Sequence, residues 1–242
     1  MKLLIIIPTF NEVENIERII ESIAEKTRNV DILVVDDGSV DGTVSVVSNL
    51  AKSYDHIHAL LRTEKTGLGD AYRAGFSWAI SNNYYAVAQM DADGSHRVED
   101  LISLIAASEN CDVVIGSRWV SGGSIRNWPW SRFALSKLGN LYGRIMLRIP
   151  IRDATAGFRI YSKKALILSK MLESHSQGYV FQIENSLRIT EAKLRVIEVP
   201  ITFIERKFGE SKMSGSIVKE AMLKVTLWGL KGRLLKRKIF IK

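Results

Sequence analysis

Five short apolar runs set the rhythm of the first half of this chain: 3–7, 32–35, 57–61, 85–90 and 111–115. Runs of this length, bounded by turn residues, read as buried strands of a parallel sheet. Between them apolar residues recur at helical spacing. Val13, Ile16, Ile19, Ile20 and Ile23 follow the first run, Val44, Val47, Leu50 and Tyr54 the second, and further helices are expected over 68–81 and 98–107. Asn11, with Glu14 three residues on, predicts the cap of the first helix. Strands alternating with helices predict an α/β fold with a mainly parallel sheet and helices on both faces. Right-handed crossovers then send the strand ends to one edge, where such sheets bind ligands. Pro8-Thr9-Phe10, Asp36-Asp37, Asp91-Ala92-Asp93 and Ser117-Arg118 are therefore expected along a single crevice.

The stretch 85–97, YAVAQMDADGSHR, is the focus of that edge. Two carboxylates one residue apart at a strand end suit a hard divalent cation, which in turn grips a diphosphate. An Asp-rich turn completed by Asp93-Gly94 accounts for the same residues. What favours the ligand is that a second strand, ending in Asp36-Asp37, finishes the same way.

The chain is basic, with a net charge of +8 and a pI near 9.5. This points to an anionic partner: nucleic acid, an acidic membrane face or a phosphorylated substrate. A single cysteine, Cys111, excludes an internal disulfide and reads as core rather than nucleophile. No run approaches the roughly 18 apolar residues of a membrane span, and the first residues read as a strand rather than a signal peptide. Gly67-Leu68-Gly69 opens a helix, but Tyr72 stands where a dinucleotide fingerprint needs its third glycine. There is no P-loop, no nucleophile elbow and no zinc-protease motif, and the four histidines are too scattered for zinc.

Beyond Trp119 the rhythm loosens. Residues 121–124 and 128–130 read as a mobile loop, 132–148 as an amphipathic helix and 156–161 as a returning strand. Another helix is expected over 179–190, a strand pair or a bent strand over 195–204 with Pro200 at an edge or bulge, and a last helix over 216–235. The organisation expected is a domain over 1–215 followed by a basic amphipathic segment over 216–242.

Taken together, PTFNEVENI (8–16), VVDDGSVDGT (34–43), MDADGSH (90–96), GSRW (116–119), GFRIYSKKAL (157–166) and ERKFGESK (205–212) resemble family 2 glycosyltransferases of the GT-A fold. Within that family, GYVFQIE (178–184) and FGESK favour the branch that makes dolichol- or polyprenol-phosphate mannose. The resemblance runs nearly end to end. It implies a Rossmann-like nucleotide-sugar-binding domain and a divalent cation, Mg2+ or Mn2+. By this resemblance Pro8, Phe10 and Glu12 cradle the nucleotide, with Val35 and Asp37 against base and ribose. Asp91, Ala92 and Asp93 meet the diphosphate, and Asp91, Asp93 and Ser95 ligate the metal. Arg206 and Lys212 neutralise the leaving diphosphate, while Arg118, Arg132 and Ser136 hold the acceptor phosphate. Asp93, Arg118, Arg206 and Lys212 are the catalytic set. Asp153 orients the sugar or caps a turn.

The reaction so implied moves mannose from GDP-mannose to a polyprenyl phosphate with inversion; another donor such as UDP-glucose fits the same motifs. A metal-dependent nucleotidyltransferase would carry a Gly- and Arg/Lys-rich segment directly after the first strand, and Pro8-Thr9-Phe10-Asn11-Glu12 is not one. A nucleic-acid-binding protein would put its basic surplus at the ligand edge, which here is acidic. No nucleic-acid partner is therefore expected. Residues 221–242 hold seven Lys or Arg and no acid, among Met222, Leu223, Leu227, Trp228 and Leu230. They read either as a peripheral anchor on the cytoplasmic face of a membrane or as a helix packed on the domain. Small membrane subunits are possible partners by the same resemblance.

Overall fold

A computed structural model describes residues 2–205, 215–234 and 239–241. The five expected strands are β1 (Leu3–Thr9), β2 (Val30–Asp36), β3 (Ile57–Leu61), β4 (Ala86–Gln89) and β5 (Val113–Ser117). Between them lie α1 (Ile16–Lys26), α2 (Thr43–Ser53), α3 (Leu68–Ser81) and α4 (Val98–Ser108). The second half adds β6 (Ser124–Arg126), α5 (Trp130–Leu147), β7 (Arg159–Ser162) and α6 (Lys163–Leu168). It continues with α7 (Gly178–Glu191), β8 (Val196–Pro200), β9 (Thr202–Ile204) and α8 (Gly215–Leu234).

The main sheet runs β3-β2-β1-β4-β7-β5-β8, with β7 antiparallel to both neighbours and every other pairing parallel. β1 explains why both faces must be covered: Leu4 and Ile6 point into one apolar cluster, Leu3, Ile5 and Ile7 into the other. Tyr72 and Phe76 of α3 and Phe181 of α7 close the first face. Ile16, Ile19, Ile20 and Ile23 of α1 and Leu101 and Leu104 of α4 close the second. Each such side chain contributes roughly 1.5–3 kcal/mol by leaving water, so the sheet edge is a rigid base for whatever its loops carry.

Two expectations change and a third is narrowed. Asn11 does not cap α1, which starts at Ile16; with φ 58° Asn11 sits in the left-handed region. It ties the β1 loop to the β2 loop instead, its N–H donating to Ser39 Oγ and its Oδ1 accepting from the Val40 N–H. The expected mobile loop is partly a strand, because β6 pairs in parallel with β9 in a two-stranded sheet. Pro200 ends β8 at the sheet edge, as expected, and past buried Ile201 the chain turns into β9, so the expected strand pair or bent strand is two strands, which lie in different sheets.

α8 presents two different faces. One face packs on the domain: Val225 is buried, Tyr142 and Thr226 share a hydrogen bond of 2.6 Å, and Gly229 lies against the Met146 carbonyl, where a Cβ would come within 2.7 Å. The other face leaves Leu223, Leu227, Leu230 and Leu234 exposed, and α5 likewise exposes Leu135, Leu138, Leu141 and Ile145. Among the described residues no helix is long and apolar enough to cross a membrane. Cys111 is half-buried, with burial raising its thiol pKa, and lies away from the sheet edge that carries the aspartates.

Candidate active site

β2, β1 and β4 are adjacent and parallel, so their C-terminal tips are neighbours, and β5 brings its own tip to the same edge. Over them opens a cleft of about 450 Å3. Its first end is formed by Pro8, Phe10, Glu12, Asp37 and Lys65, its middle by Asp91, Ala92, Asp93, Ser95 and His96, and its far end by Arg118, Trp128, Arg132 and Thr155.

At the first end the Lys65 ammonium stands 3.5 Å from the Phe10 ring centroid. Asp37 accepts from Arg62 Nη1 at 2.7 Å; burial nevertheless pushes its carboxyl pKa up. Asp36 is consumed locally, accepting from Thr9 Oγ1, Ser39 Oγ and the Gly38 and Ser39 N–H groups. Thus only one of the two aspartates at this tip faces the cleft. Val35 does not face it either. Its side chain is fully buried beneath α3 with Ala71 and Tyr72, so a contact with base or ribose would fall to its backbone.

In the middle, Gly94 with φ 74° turns the chain sharply after Asp93, whose Oδ1 accepts from the Ser95 N–H at 3.0 Å. The buried Tyr72 hydroxyl donates to Asp91 Oδ1 at 3.1 Å; its own pKa is pushed well up by burial and by that carboxylate. His96, also buried, stacks on Phe158 at 4.6 Å, and its Nδ1 accepts from the Asp91 N–H at 3.1 Å. A ring accepting at Nδ1 carries its proton on Nε2 when neutral, which lies 3.9 Å from Asp91 Oδ2.

At the far end Arg118 is bound to Asp153, Nε to Oδ2 at 2.8 Å and Nη2 to Oδ1 at 2.7 Å, with Nη2 also donating to Thr155 Oγ1 at 2.8 Å. Burial alone would raise the Asp153 carboxyl, but the Arg118 guanidinium and the Arg118 N–H hold it below the usual range. Arg159, fully buried, donates to the carbonyls of Ala154 and Ala156 and so pins the loop that carries Asp153. Arg132 pairs with Glu205 and lies over Trp128. Ser136, one turn along α5, faces a neighbouring apolar groove rather than the cleft. Arg206 and Lys212 lie outside the described residues.

The model of the family described as Glycosyl transferase family 2 matches residues 4–168, which span every strand tip just described. The chain belongs to that family. Along its whole length this family 2 transferase is similar to the polyprenol monophosphomannose synthase of Mycolicibacterium smegmatis, 48% identical over 96% of this chain and 88% of that protein. It is likewise 46% identical to the undecaprenyl-phosphate mannosyltransferase of Micrococcus luteus, over 96% of each. The solved structures it resembles are distant in sequence and speak for the GT-A fold. A glucosyl-3-phosphoglycerate synthase from Mycobacterium tuberculosis, solved with Mg2+ and UDP, has TM-score 0.62 at 17% identity, covering 96% of this chain and 79% of that one. A mannosyltransferase from Pyrobaculum calidifontis, solved with GDP-Man and Mn2+, has TM-score 0.59 at 16% identity, covering 99% and 65%.

Whether the family 2 transferase's own residues suit a divalent cation is answered by the middle of the cleft. Among the described residues no group of three His, Cys, Asp or Glu gathers for a metal. The donors present are the Asp91 and Asp93 carboxylates and Ser95 Oγ, a buried hydroxyl without a hydrogen-bond partner among the described residues. This is a small set of hard oxygens, and it fits a cation that completes its shell with substrate phosphates and water. Residues the sequence did not single out also line the cleft, among them Lys65, Thr155, Gln177, Gln182 and Phe203. GYVFQIE was noticed as a string, but nothing in it told which side chain faces inward.

Proposed function

We propose that this chain is an inverting polyprenyl-phosphate mannosyltransferase that moves mannose from GDP-mannose to the phosphate of a polyprenol. The observation that carries the reading is a junction of two cavities. A groove of about 260 Å3 between α5 and α8, lined by Leu135, Leu138, Gly139, Tyr142, Met222 and Val225, meets the cleft at Arg118, Trp128 and Thr155, which line both. A lipid phosphate needs this: apolar walls for its tail, and cations where its head meets the donor. The names of the two bacterial relatives support both acceptor and sugar.

A phosphate monoester has its second pKa near ~6 and is largely dianionic at neutral pH. Its oxygen attacks the anomeric carbon as the bond from that carbon to the diphosphate breaks, and the electron pair leaves with GDP. No proton has to be removed, so the acceptor end needs no nucleophile–base pair. The chain's work is to align the reactants and to stabilise the departing charge. Asp91, Asp93 and Ser95 would hold a divalent cation, which neutralises diphosphate charge when bound. Tyr72 and His96 fix Asp91, and Asp153 fixes Arg118 beside the incoming phosphate. Arg132 stands at the same mouth and Ser136 inside the groove; Arg206 and Lys212 belong to the same reading as leaving-group cations. The exposed apolar faces of α5 and α8 support peripheral contact with the cytoplasmic leaflet, alone or with small membrane subunits.

The test is turnover with a panel of nucleotide sugars and a short polyprenyl phosphate, with and without chelator. The expected result is chelator-sensitive formation of polyprenyl-phosphate mannose from GDP-mannose. Preferred use of UDP-glucose would replace the donor and keep the acceptor; transfer to no polyprenyl phosphate would overturn the reading.

A further inference from the structure

We propose that Gln182 reads the hexosyl unit of the donor. This rests on the transferase reading of the cleft and extends it to a residue that the reading does not use. Gln182 lies on the inward face of α7, is 3% exposed and lines the cleft. Neither atom of its amide, Oε1 nor Nε2, has a hydrogen-bond partner among the described residues. A buried carboxamide normally bonds, and leaving it unpaired is costly. Among its neighbours on α7, Glu184 accepts from Arg188 and from the Ser176 N–H, and Ser186 is bonded to Arg159. Asn185 is likewise buried with neither amide atom partnered among the described residues, but only Gln182 lines the cleft.

Its position says what it would meet. A Cβ on Gly157 would stand 3.7 Å from Asp91 Oδ2, 3.8 Å from Gln182 Nε2 and 3.8 Å from His96 Cε1. The three side chains thus converge on one point, left open because residue 157 is glycine. Gly157 stands two residues beyond Thr155 and both line the cleft, so that point is bounded by the Asp91 tip, where the diphosphate belongs, and by the segment that reaches the acceptor end. In a single displacement the sugar must occupy the space between leaving group and nucleophile. A hexose presents hydroxyls that both donate and accept, and a carboxamide supplies both complements. A site built to bond a hydroxyl discriminates strongly against a ligand that lacks it.

The experiment is titration of the full chain with GDP-mannose and with GDP, each with Mn2+ present, for wild type, Gln182→Leu and Gln182→Met. The expected result is that both variants bind GDP-mannose roughly tenfold or more weakly while GDP affinity stays within about twofold. The melting temperature without ligand should not fall, since an unpaired amide is being replaced by an apolar group. Equal losses for GDP and GDP-mannose would place Gln182 on the diphosphate and overturn the proposal. Unchanged affinities, or a melting temperature lowered in both variants, would make it a structural amide and overturn it as well. A wild-type chain that binds neither probe overturns the underlying reading and this proposal with it, a failure visible before any variant is made.

Discussion

Arg118 and Asp153 meet through two charge-assisted hydrogen bonds, Nε to Oδ2 at 2.8 Å and Nη2 to Oδ1 at 2.7 Å, and both residues are buried. The same carboxylate also accepts the Arg118 N–H at 2.9 Å, so it fixes the backbone at the end of β5 as well as the side chain. Removing one partner of a buried pair leaves the other uncompensated and costs ~3–5 kcal/mol. Asp153→Ala is therefore expected to lower the unfolding free energy by an amount of that order, read as a lower urea midpoint. It should also raise KM for polyprenyl phosphate more than KM for the sugar nucleotide, because Arg118 stands at the acceptor end. Equilibrium unfolding and initial rates check the two parts separately.

The same pair sets an acid limit. The Asp153 carboxyl is held below its ordinary value of 3.8 in the folded protein. Such a group stabilises the fold above its unfolded pKa, and the contribution is lost as pH falls through the lower, folded pKa. The wild-type stability curve should thus drop below about pH 4 more steeply than that of Asp153→Asn, which has no carboxylate to titrate. Chemical unfolding midpoints between pH 5 and pH 2 measure this, and parallel curves would count against the assignment.

At the middle of the cleft, Asp93→Asn removes a charge and leaves the turn at Gly94 able to form. If Asp91, Asp93 and Ser95 hold a cation, Mn2+ binding followed by electron paramagnetic resonance should weaken strongly. Turnover should fall by about two to three orders of magnitude, the scale of losing one electrostatic group at a reacting centre. Ser95→Ala should cost less, since a neutral hydroxyl contributes less charge. Its melting temperature should hold, because Ser95 Oγ has no hydrogen-bond partner among the described residues.

Much of this geometry was legible in the chain and some was not, for physical reasons. The rhythm of apolar runs locates β1 to β5, and the crossover rule alone brings Asp37, Asp91 and Arg118 to one edge, because hydrophobic period and handedness are local and general. The burial of the Val35 side chain is not legible in sequence: the buried end of a strand and the floor of a cleft look alike there, and only the packing of α3 separates them. Asn11 had the composition of a cap but adopts a left-handed conformation to bridge two loops, a tertiary demand invisible at positions 11–14. Asp153 reads two ways in the sequence because its partner Arg118 is 35 residues away. Gln182 was hidden inside a recognised string, since which face of α7 turns inward depends on how that helix docks.

The groove between α5 and α8 can be narrowed without touching the donor. Gly139 lines it, and a Cβ there would meet nothing within 4 Å. Gly139→Ala should stabilise α5 slightly, by roughly 0.5–1 kcal/mol, through helix propensity alone. Gly139→Leu should instead fill the groove, raising KM for a polyprenyl phosphate while binding of GDP-mannose stays at the wild-type level. If both substrates are unaffected, the tail runs elsewhere.

The exposed leucines on α8 bear on where that tail comes from. Leu223 and Leu227 are 56% and 63% exposed and one turn apart on α8, and α5, which packs on α8, exposes Leu138 and Leu141. Burying one such side chain in lipid is worth roughly 1.5–3 kcal/mol, and nearby Lys231 and Arg233 can each add about 1 kcal/mol on an anionic surface. The double change Leu223→Glu with Leu227→Glu should therefore weaken co-sedimentation with anionic vesicles by at least about tenfold. Soluble donor binding should be unaltered, because the fold relies on Val225 and Gly229 on the opposite face of the helix. The wild-type interaction should also weaken as salt rises past about 0.1 M, where the Debye length falls to about 10 Å. Equal sedimentation of wild type and variant would mean that α8 covers the domain without meeting a membrane, and the acceptor would then have to be delivered by another protein.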